Sequence, residues 1–389
     1  MLSMKQTASI ISTYTADVSG VCSALYELGG MTIIHDPSGC NSTYTTHDEP
    51  RWYDMDGMVY ISGLTEMEAI MGDDDKLIHD IVYAANELSP RFIAIVGTPI
   101  PMMIGTDFMA IASIIEQKTG IPTFGFDTNG MHSYISGVSR AFEELVGRMV
   151  DKNVQKTREQ TVNIIGATPL DFSIYGCVES MKKLLTDHGF SVISTWAMGC
   201  TLDDIRKAGS ATVNLVVSYS GLAAAKELER MFGTPYVVGA PFGNVFTNQL
   251  IQDLKQAANT QKNKITCIKR EVSEPCELTI IGESVTSGSL AAAIYAETGK
   301  SAQLLCPLET QPELLVNGDF AAQDEDDLIP HLEKAKVLIA DPLYRPICPK
   351  SCAFIPLPHE AFSGRIFHKQ KPNLITDFNG LLEKIKEIL

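Results

Sequence analysis

The chain has 389 residues, of which 45% are apolar, and a net charge of −16. This length exceeds one ordinary hydrophobic core, so two or three domains of roughly 100–150 residues are expected. The acidic balance argues against a nucleic-acid binder, because proteins that track phosphates need a basic face. No run reaches the roughly 18 apolar residues of a membrane span, and the N-terminal segment lacks a signal-peptide core. We therefore expect a soluble, cytoplasmic protein.

Cysteine usage points to reduced thiols. Without a secretion signal, an odd number of scattered cysteines does not indicate a disulfide framework, and some of these thiols are candidate metal ligands. The nine cysteines stand at positions 22, 40, 177, 200, 267, 276, 306, 348 and 352.

Short β-branched runs alternate with amphipathic segments along the chain. The runs are too apolar for half-exposed strands, which favours parallel sheets covered by helices on both faces. The helical segments Gly176–Gly189 and Gly221–Gly233 each close on a glycine suited to the left-handed C-cap conformation. Repeated βαβ units of this kind predict doubly wound α/β domains. The predicted strands are Met31–His35, Phe92–Val96, Val162–Ile165, Ser191–Ser194, Leu215–Val217, Leu278–Ile281 and Val337–Ala340.

Three βαβ units of similar layout divide the chain. Polar stretches at Asp151–Thr157 and Gln256–Lys269 are the expected linkers. They predict domains at residues 1–155, 156–270 and 271–389. No turn completes the G-x-G-x-x-G dinucleotide motif, and the G-x-x-x-x-G-K-[ST] phosphate loop is absent, so the chain is not itself a P-loop ATPase.

Five segments, in order, resemble component 1 of nitrogenase and its relatives. Those relatives include the dark protochlorophyllide and chlorophyllide reductases, the cofactor-assembly scaffolds and the reductive cyclase of nickel-tetrapyrrole biosynthesis. The resemblance implies an α/β fold with three Rossmann-like domains, built on mostly parallel sheets around a central cleft. It also implies a homodimer, or a heterodimer with a homologous subunit. The segments are His35–Cys40 (HDPSGC), Ser62–Leu77, Phe92–Asp107, Val162–Ile205 continuing into Asn214–Gly221, and Ile280–Ile294.

The chain departs from nitrogenase at two cofactor positions. Pro99 occupies the place of a bridging-cluster cysteine, and Ser218 occupies that of the cysteine that binds the nitrogenase cofactor. A hydroxyl is a poor ligand for a soft iron–sulfur centre, and a proline side chain is none. We therefore expect neither a molybdenum–iron cofactor nor an eight-iron cluster, and Ser218 becomes a candidate substrate contact.

By resemblance, Cys40 is a ligand of a 4Fe-4S cluster at the dimer interface. Such a cluster needs four ligands, normally thiolates. Ala16 stands at the usual upstream cysteine position, which leaves Cys22 and Asp17 as the nearby candidates. Two arrangements stay open: a homodimer in which each protomer supplies Cys22 and Cys40, or Cys40 joined by Asp17 or by cysteines of a different homologous subunit.

Several side chains are candidates for substrate chemistry. His47, in the loop after Cys40, has an unperturbed pKa near neutrality and is a candidate proton donor. The segment Leu357–Arg365 resembles the family's cofactor-pocket segment, which makes His359 and Glu360 candidate catalytic groups and Arg365 a substrate contact. The methionines at positions 102, 103 and 109 are expected in the core or an interface.

The pair Cys348 and Cys352 stands apart from these motifs. Three residues separate the two thiols in a segment rich in turn formers, so they can face the same side. Two thiols make half of a zinc or cluster site, and a loop with two unpaired cysteines is the plainer interpretation.

The resemblance predicts an anaerobic oxidoreductase. An ATP-dependent iron protein would pass low-potential electrons to the cluster, and a small molecule, with a tetrapyrrole as the leading class, would be reduced in the cleft. The rival hypothesis is a non-catalytic scaffold that carries a cluster, a cofactor precursor or a tetrapyrrole.

Overall fold

The computed structural model describes residues 15–39, 44, 48–273, 276–322, 325–367 and 371–388. Within them the strands form three sheets, in the orders β2-β1-β3-β4, β6-β5-β7-β8-β9 and β12-β11-β10-β13-β14. The pairs with a described register are parallel. Such sheets need a helical layer on each face, and the central strands are accordingly buried along their whole length.

The first sheet and its helices occupy the N-terminal part of the chain. Its elements are α1 (Asp17–Leu25), β1 (Met31–Ile34), β2 (Met58–Ile61), α2 (Glu66–Met71), α3 (Asp74–Leu88), β3 (Ile93–Val96), α4 (Pro99–Ile104), α5 (Phe108–Thr119), β4 (Thr123–Phe126) and α6 (Tyr134–Met149).

The second sheet follows directly. Its elements are β5 (Thr161–Ile165), α7 (Pro169–Phe172), α8 (Cys177–Asp187), β6 (Ser191–Trp196), α9 (Leu202–Arg206), β7 (Val213–Val216), α10 (Leu222–Phe232), β8 (Tyr236–Val238), α11 (Asn244–Thr260) and β9 (Lys264–Ile265).

The third sheet is built from the C-terminal part, whose last helix returns to pack on α8 of the second sheet. Its elements are β10 (Leu278–Ile281), α12 (Ser284–Thr298), β11 (Ala302–Cys306), β12 (Phe320–Ala321), α13 (Glu325–Leu332), β13 (Val337–Ala340), β14 (Ala353–Pro356), α14 (Glu360–Phe367) and α15 (Leu374–Ile388). Short 3-10 helices stand at Ala208–Ser210, Tyr219–Gly221, Pro312–Leu314 and Pro342–Ile347.

The α/β class with parallel sheets is confirmed, and each predicted strand coincides with an observed one to within a few residues. The linker predicted at Gln256–Lys269 is wrong, because it contains the end of α11 and the edge strand β9. The Gln, Ala and Lys residues of this stretch are good helix formers, although their polar character made the stretch resemble a linker. Six further strands were missed, most of which lack a run of β-branched residues: β2, β4, β8, β11, β12 and β14.

Two glycines let α1 and α6 cross at backbone contact. A Cβ on Gly20 would collide with the carbonyl oxygen of Tyr134, and one on Gly137 with that of Asp17. Because each helix brings a glycine to the other's backbone, the crossing is closer than ordinary side chains permit. It fixes Asp17 and Tyr134 at one end of the first domain.

A buried arginine ties the first sheet to the second. Arg51 donates through Nε and Nη2 to the two carboxylate oxygens of Glu49, at 2.6 and 2.8 Å, and through Nη1 to Glu27 at 2.9 Å. It also donates to the carbonyls of Ser23 at 2.7 Å and of Ala197, after β6, at 3.3 Å. Arg51 and Glu49 are 4% and 3% exposed, so neither charge is compensated by water.

None of the helices in the described ranges is long and apolar enough to cross a membrane.

We expect Arg51→Met to destabilise the fold by about 3–5 kcal/mol, since it leaves the buried Glu49 carboxylate without its partner. Urea unfolding followed by circular dichroism measures the loss. The control is Arg230→Met, which removes an exposed pair with Glu227 and should leave the midpoint unchanged. Equal midpoints for the two variants would show that the Arg51 network contributes nothing to stability.

Candidate functional site

Each sheet has a point where the chain winds in opposite directions from two adjacent strands. These switch points lie between β1 and β3, between β5 and β7, and between β10 and β13. In open parallel sheets ligands bind in the crevice at the carboxyl ends of the two strands. The strands at these places are followed by Asp36 and Thr98, by Gly166 and Ser218, and by Glu283 and Asp341, all of them polar except Gly166.

The carboxylate of Asp171 is a junction of the three parts of the chain. Asp171 lies in α7, which Thr168 caps, and its side chain is fully buried. Tyr134 at the start of α6 donates its hydroxyl to Oδ1 of Asp171 at 2.5 Å. Nε2 of His359, just before α14, lies 3.4 Å from the same oxygen. Burial and the Asp171 charge raise the pKa of Tyr134 well above its ordinary value, so the phenol stays protonated.

The hydrogen bonds of His359 determine where its proton sits. Nδ1 accepts the N–H of Ala361 at 3.3 Å, so a neutral imidazole carries its proton on Nε2. At 3.4 Å that proton faces Asp171 beyond normal hydrogen-bond length. The backbone N–H of His359 donates to Asp341 at 2.8 Å, which fixes the segment to the end of β13. His359 thus presents a proton held at Nε2 toward a buried carboxylate.

Beside His359, Glu360 forms a buried ion pair with Lys371 and accepts a hydrogen bond from Ser173 at 3.2 Å. Both charged side chains are less than 5% exposed. Burial lowers the pKa of the Lys371 ammonium, and the nearby carboxylate of Asp341 counters that shift. The arrangement encloses a cavity of about 90 Å³ between the second and third sheets, lined also by Asp171, His359 and aromatic side chains.

Ser218 lies at the second switch point but does not line this cavity. Its side chain is fully buried, and its hydroxyl bonds that of Ser220 at 3.1 Å. The neighbouring Tyr219 N–H donates to Glu283 at 2.9 Å, which also accepts the N–H groups of Val285 and Thr286 at the start of α12. Burial, followed by the charge of Asp171, raises the pKa of Glu283. The Ser218 side chain is therefore buried at the second switch point and is not exposed to the cavity. Its role as a substrate contact stays a prediction.

Cys40 and His47 both lie outside the described residues, so their predicted roles stay predictions. The residues on either side of them are described. His35 follows β1 with its Nδ1 2.8 Å from the Ser62 hydroxyl, and Thr98 donates to Asp36 at 2.6 Å across the first switch point. The described residues that follow β1 therefore leave the sheet at a crevice suited to a ligand.

The roles of Asp17 and Cys22 as cluster ligands stay predictions, and the structure shows the contacts that each side chain makes within this chain. Asp17 accepts the N–H groups of Val18, Asn129 and Gly130 at 2.8, 3.1 and 2.8 Å, which occupies both of its oxygens. Burial raises the pKa of the Asp17 carboxyl, and these bonds oppose the shift.

Cys22 is fully buried on α1. Burial, and then the Glu49 and Asp48 carboxylates, raise the pKa of its thiol far above the ordinary value. Across the described part of the chain, no three His, Cys, Asp or Glu side chains converge on a metal position.

Other residues predicted from the sequence lie away from this site or outside the described side chains. Arg365 belongs to α14, and its side chain lies outside the described part of the chain. The methionines at 102, 103 and 109 are 46%, 79% and 56% exposed, so the expectation of a core position is wrong for this chain by itself. They stand on α4 and α5 at the rim of the first switch point, where the apolar side chains face solvent.

Five residues of the site were not predicted from the sequence: Tyr134, Asp171, Glu283, Asp341 and Lys371. Glu283 and Asp341 had a usable signal, because each stands within two residues of a predicted parallel strand, and Asp171 follows in a Thr-Pro-Leu-Asp helix start. Acidic residues at carboxyl ends of such strands are crevice candidates. Tyr134 and Lys371 had no signal, because their pairing with Asp171 and Glu360 forms only in the folded chain.

The neutral state of His35 predicts an acid-sensitive fold. Burial lowers the pKa of His35 to about 4, so between that value and its unfolded pKa near 6.5 the unfolded chain binds more protons. Stability contributed by neutral His35 is complete above pH 6.5 and is lost toward pH 4, at up to about 1.4 kcal/mol per pH unit. His35→Asn, which retains a partner for Ser62, should make the urea midpoint less dependent on pH between pH 4 and 6.5. His79→Asn, on the exposed face of α3, is the control; parallel curves for parent and His35→Asn would exclude His35 as the cause.

Comparison with known proteins identifies relatives of the chain. It is 28% identical over 200 residues to a chain of the light-independent protochlorophyllide reductase of Nostoc punctiforme, a match that covers 49% of this chain and 39% of that protein. It is 26% identical over 275 residues to the nitrogenase iron-molybdenum cofactor biosynthesis protein NifE of Clostridium pasteurianum, which covers 66% and 58%. The chain thus spans about half the length of the curated relatives it matches.

The fold is similar to that of solved nitrogenase. The chain superposes on nitrogenase Cp1 at pH 6.5 with a TM-score of 0.72 at 15% identity, covering 100% of this chain and 94% of that one. The sequence model of the nitrogenase component 1 type oxidoreductases matches residues 20–344. The chain therefore belongs to the nitrogenase component 1 type oxidoreductase family.

Proposed function

We propose that this chain is the substrate-reducing subunit of a nitrogenase-like reductase. In this proposal an ATP-dependent iron protein supplies low-potential electrons, and a substrate is reduced in the cleft beside His359. A 4Fe-4S cluster held by Cys40 and by ligands of a second component 1 subunit would supply one-electron transfer. The observation that carries the proposal is that Tyr134 and His359 converge on the buried carboxylate of Asp171 next to a cavity, in a chain of this family.

The residues around the cavity are suited to hold and deliver protons. His359 keeps a proton at Nε2, and Asp171 stabilises the imidazolium that forms if a second proton arrives. Tyr134 remains protonated and orients Asp171, so it positions the carboxylate without titrating. The Glu360–Lys371 pair lines one wall of the cavity. A reduction that consumes electrons needs such a local proton source.

The size of the cavity restricts the substrate. About 90 Å³ holds a molecule of a few heavy atoms and is well below the roughly 300–1,000 Å³ of pockets that enclose drug-sized ligands. A tetrapyrrole, the class that family resemblance favours, requires the second and third sheets to move apart around Lys371 and Glu360. A small polar substrate requires no such movement.

Iron content tests the electron-transfer proposal. Protein purified without oxygen should contain about four irons and four sulfides per dimer and give an EPR signal after dithionite reduction. Cys40→Ala should lose both, whereas Cys200→Ala, a change at a half-buried thiol on another domain, should lose neither. Folded parent protein without iron would reject the proposal, and iron unchanged in Cys40→Ala would reject Cys40 as a ligand.

His359→Gln tests the proton-delivery role. With a nitrogenase-type iron protein, ATP and protochlorophyllide as the probe, the variant should form product roughly 100-fold more slowly than the parent. Its reduced EPR signal should be unchanged, because the electrons still arrive, and His79→Gln should match the parent. Full activity in His359→Gln would exclude this histidine. A parent that leaves protochlorophyllide unreduced would remove this tetrapyrrole as a substrate.

The second candidate is a non-catalytic scaffold that carries a cluster, a cofactor precursor or a tetrapyrrole. It is favoured by Pro99 and Ser218 at cofactor positions of the family, and by the complete burial of Ser218. ATP hydrolysis by the iron protein separates the two, since only a reductase should couple hydrolysis to consumption of dithionite electrons when a substrate is present.

A further inference from the structure

Two cysteines of the third sheet lie side by side at a surface turn. Cys348 follows the 3-10 helix Pro342–Ile347, and Cys352 precedes β14. Sγ of Cys348 is 3.7 Å from the carbonyl oxygen of Cys352, and the N–H of Cys352 donates to the carbonyl of Pro349 at 2.9 Å. This turn keeps the two residues at one place, so joining the sulfurs calls for rotation of side chains and no rearrangement of strands.

The two thiols differ in access. Cys348 is half-buried, whereas Cys352 is 9% exposed and packs into the core below the turn. Burial, and then the charge and hydrogen bonding of Cys348, raise the pKa of Cys352 to about 12. Cys352 therefore keeps its proton at neutral pH, and Cys348 is the thiol that an exchange partner reaches first. An accessible thiol beside a shielded one is the arrangement of dithiol redox pairs.

The turn belongs to the segment between β13 and β14, which begins at the cavity. This segment leaves the sheet at Asp341, a cavity residue, and returns to the sheet at Ala353, the first residue of β14. Tyr344, within the segment, lines the same cavity and packs on Phe362. A covalent bond across the turn would therefore restrain the segment that carries Tyr344.

We propose that Cys348 and Cys352 form a reversible disulfide in response to a small-molecule disulfide such as glutathione disulfide. The inference needs neither the proposed reductase activity nor the cluster.

The reaction has two exchange steps. The Cys348 thiolate attacks one sulfur of glutathione disulfide, forms a mixed disulfide and releases one glutathione thiolate. Cys352 then loses its proton to solvent, attacks the Cys348 sulfur and releases the second glutathione. Two protein thiols are oxidised and one disulfide is reduced to two thiols. Because the second step needs the Cys352 thiolate, its rate should rise about tenfold per pH unit between pH 7 and 9.

Tryptic digestion reports this bond directly. Trypsin cuts after Lys350, between the two cysteines, but not at Arg345, which precedes a proline. The full chain is incubated with glutathione disulfide, quenched with acid, alkylated with N-ethylmaleimide, unfolded and digested. We expect residues 337–350 linked to residues 351–365, and dithiothreitol should separate them.

Variants identify the order of the steps. Cys352→Ser should give no linked peptides and should accumulate glutathione on Cys348, whereas Cys348→Ser should give neither product. Cys200→Ser is the control and should form linked peptides at the parent rate. Circular dichroism verifies that each serine variant is folded.

Two results would overturn the proposal. One is folded parent protein that yields only alkylated Cys348 and Cys352 after prolonged incubation at pH 9. The other is Cys348 linked to a cysteine other than Cys352. Neither result bears on iron binding or substrate reduction, so the proposed function stands or falls separately.

Discussion

A single carboxylate, that of Asp171, imposes the strongest constraint on how the three sheets meet. It accepts a hydrogen bond from Tyr134 of the first part of the chain and faces His359 of the third, while it belongs to the second. A fully buried carboxylate must be satisfied by fixed donors, because water cannot reach it. The need to satisfy Asp171 therefore restricts how the sheets can be arranged, because Tyr134 and His359 must both reach it. The cavity lies in a gap that this arrangement leaves beside Asp171.

The same logic applies on the other side of the cleft, where the buried charges are distributed over neighbouring residues. Glu360 is satisfied by Lys371 and Ser173, and Asp341 by the N–H of His359 and the hydroxyl of Ser363. Each carboxylate joins two chain segments that are distant in sequence or separated by a loop. Low dielectric strengthens such networks when they are complete and makes each missing partner costly. Buried and paired charges therefore border the cleft, which suits control of proton position.

The first sheet contributes differently. The Arg51 network joins the first sheet to the second through Ala197, and the glycine crossing of α1 and α6 places Asp17 against Gly137. Asp17 binds backbone N–H groups of this chain, and Cys22 packs in its core. In the proposed reductase a cluster would lie at an interface, since the described residues of one chain bring no three candidate ligands together.

Much of the architecture could be read from the sequence. Apolar β-branched runs separated by amphipathic helices determine parallel α/β layers, because a fully buried strand tolerates little else. The ordered segments from His35 to Ile294 likewise identify the family without any coordinates. His359 and Glu360 could be named as site residues from the segment that carries them. Acidic residues after β10 and β13 could have been added by the same reasoning about strand ends.

Only the tertiary structure decided which of these residues meet. Lys371 pairs with Glu360 through a contact that local pattern does not encode, and Asp171 becomes a junction only when three sheets assemble. Cys22 stays a predicted ligand, and its complete burial could not be read from its position in the sequence. The methionines of α4 and α5 were expected in the core or an interface, and only the structure shows that they are exposed in this chain, because apolar character does not reveal which face a helix exposes. Charge pairing and burial depend on contacts between segments far apart in the chain, and those contacts form only in the folded state.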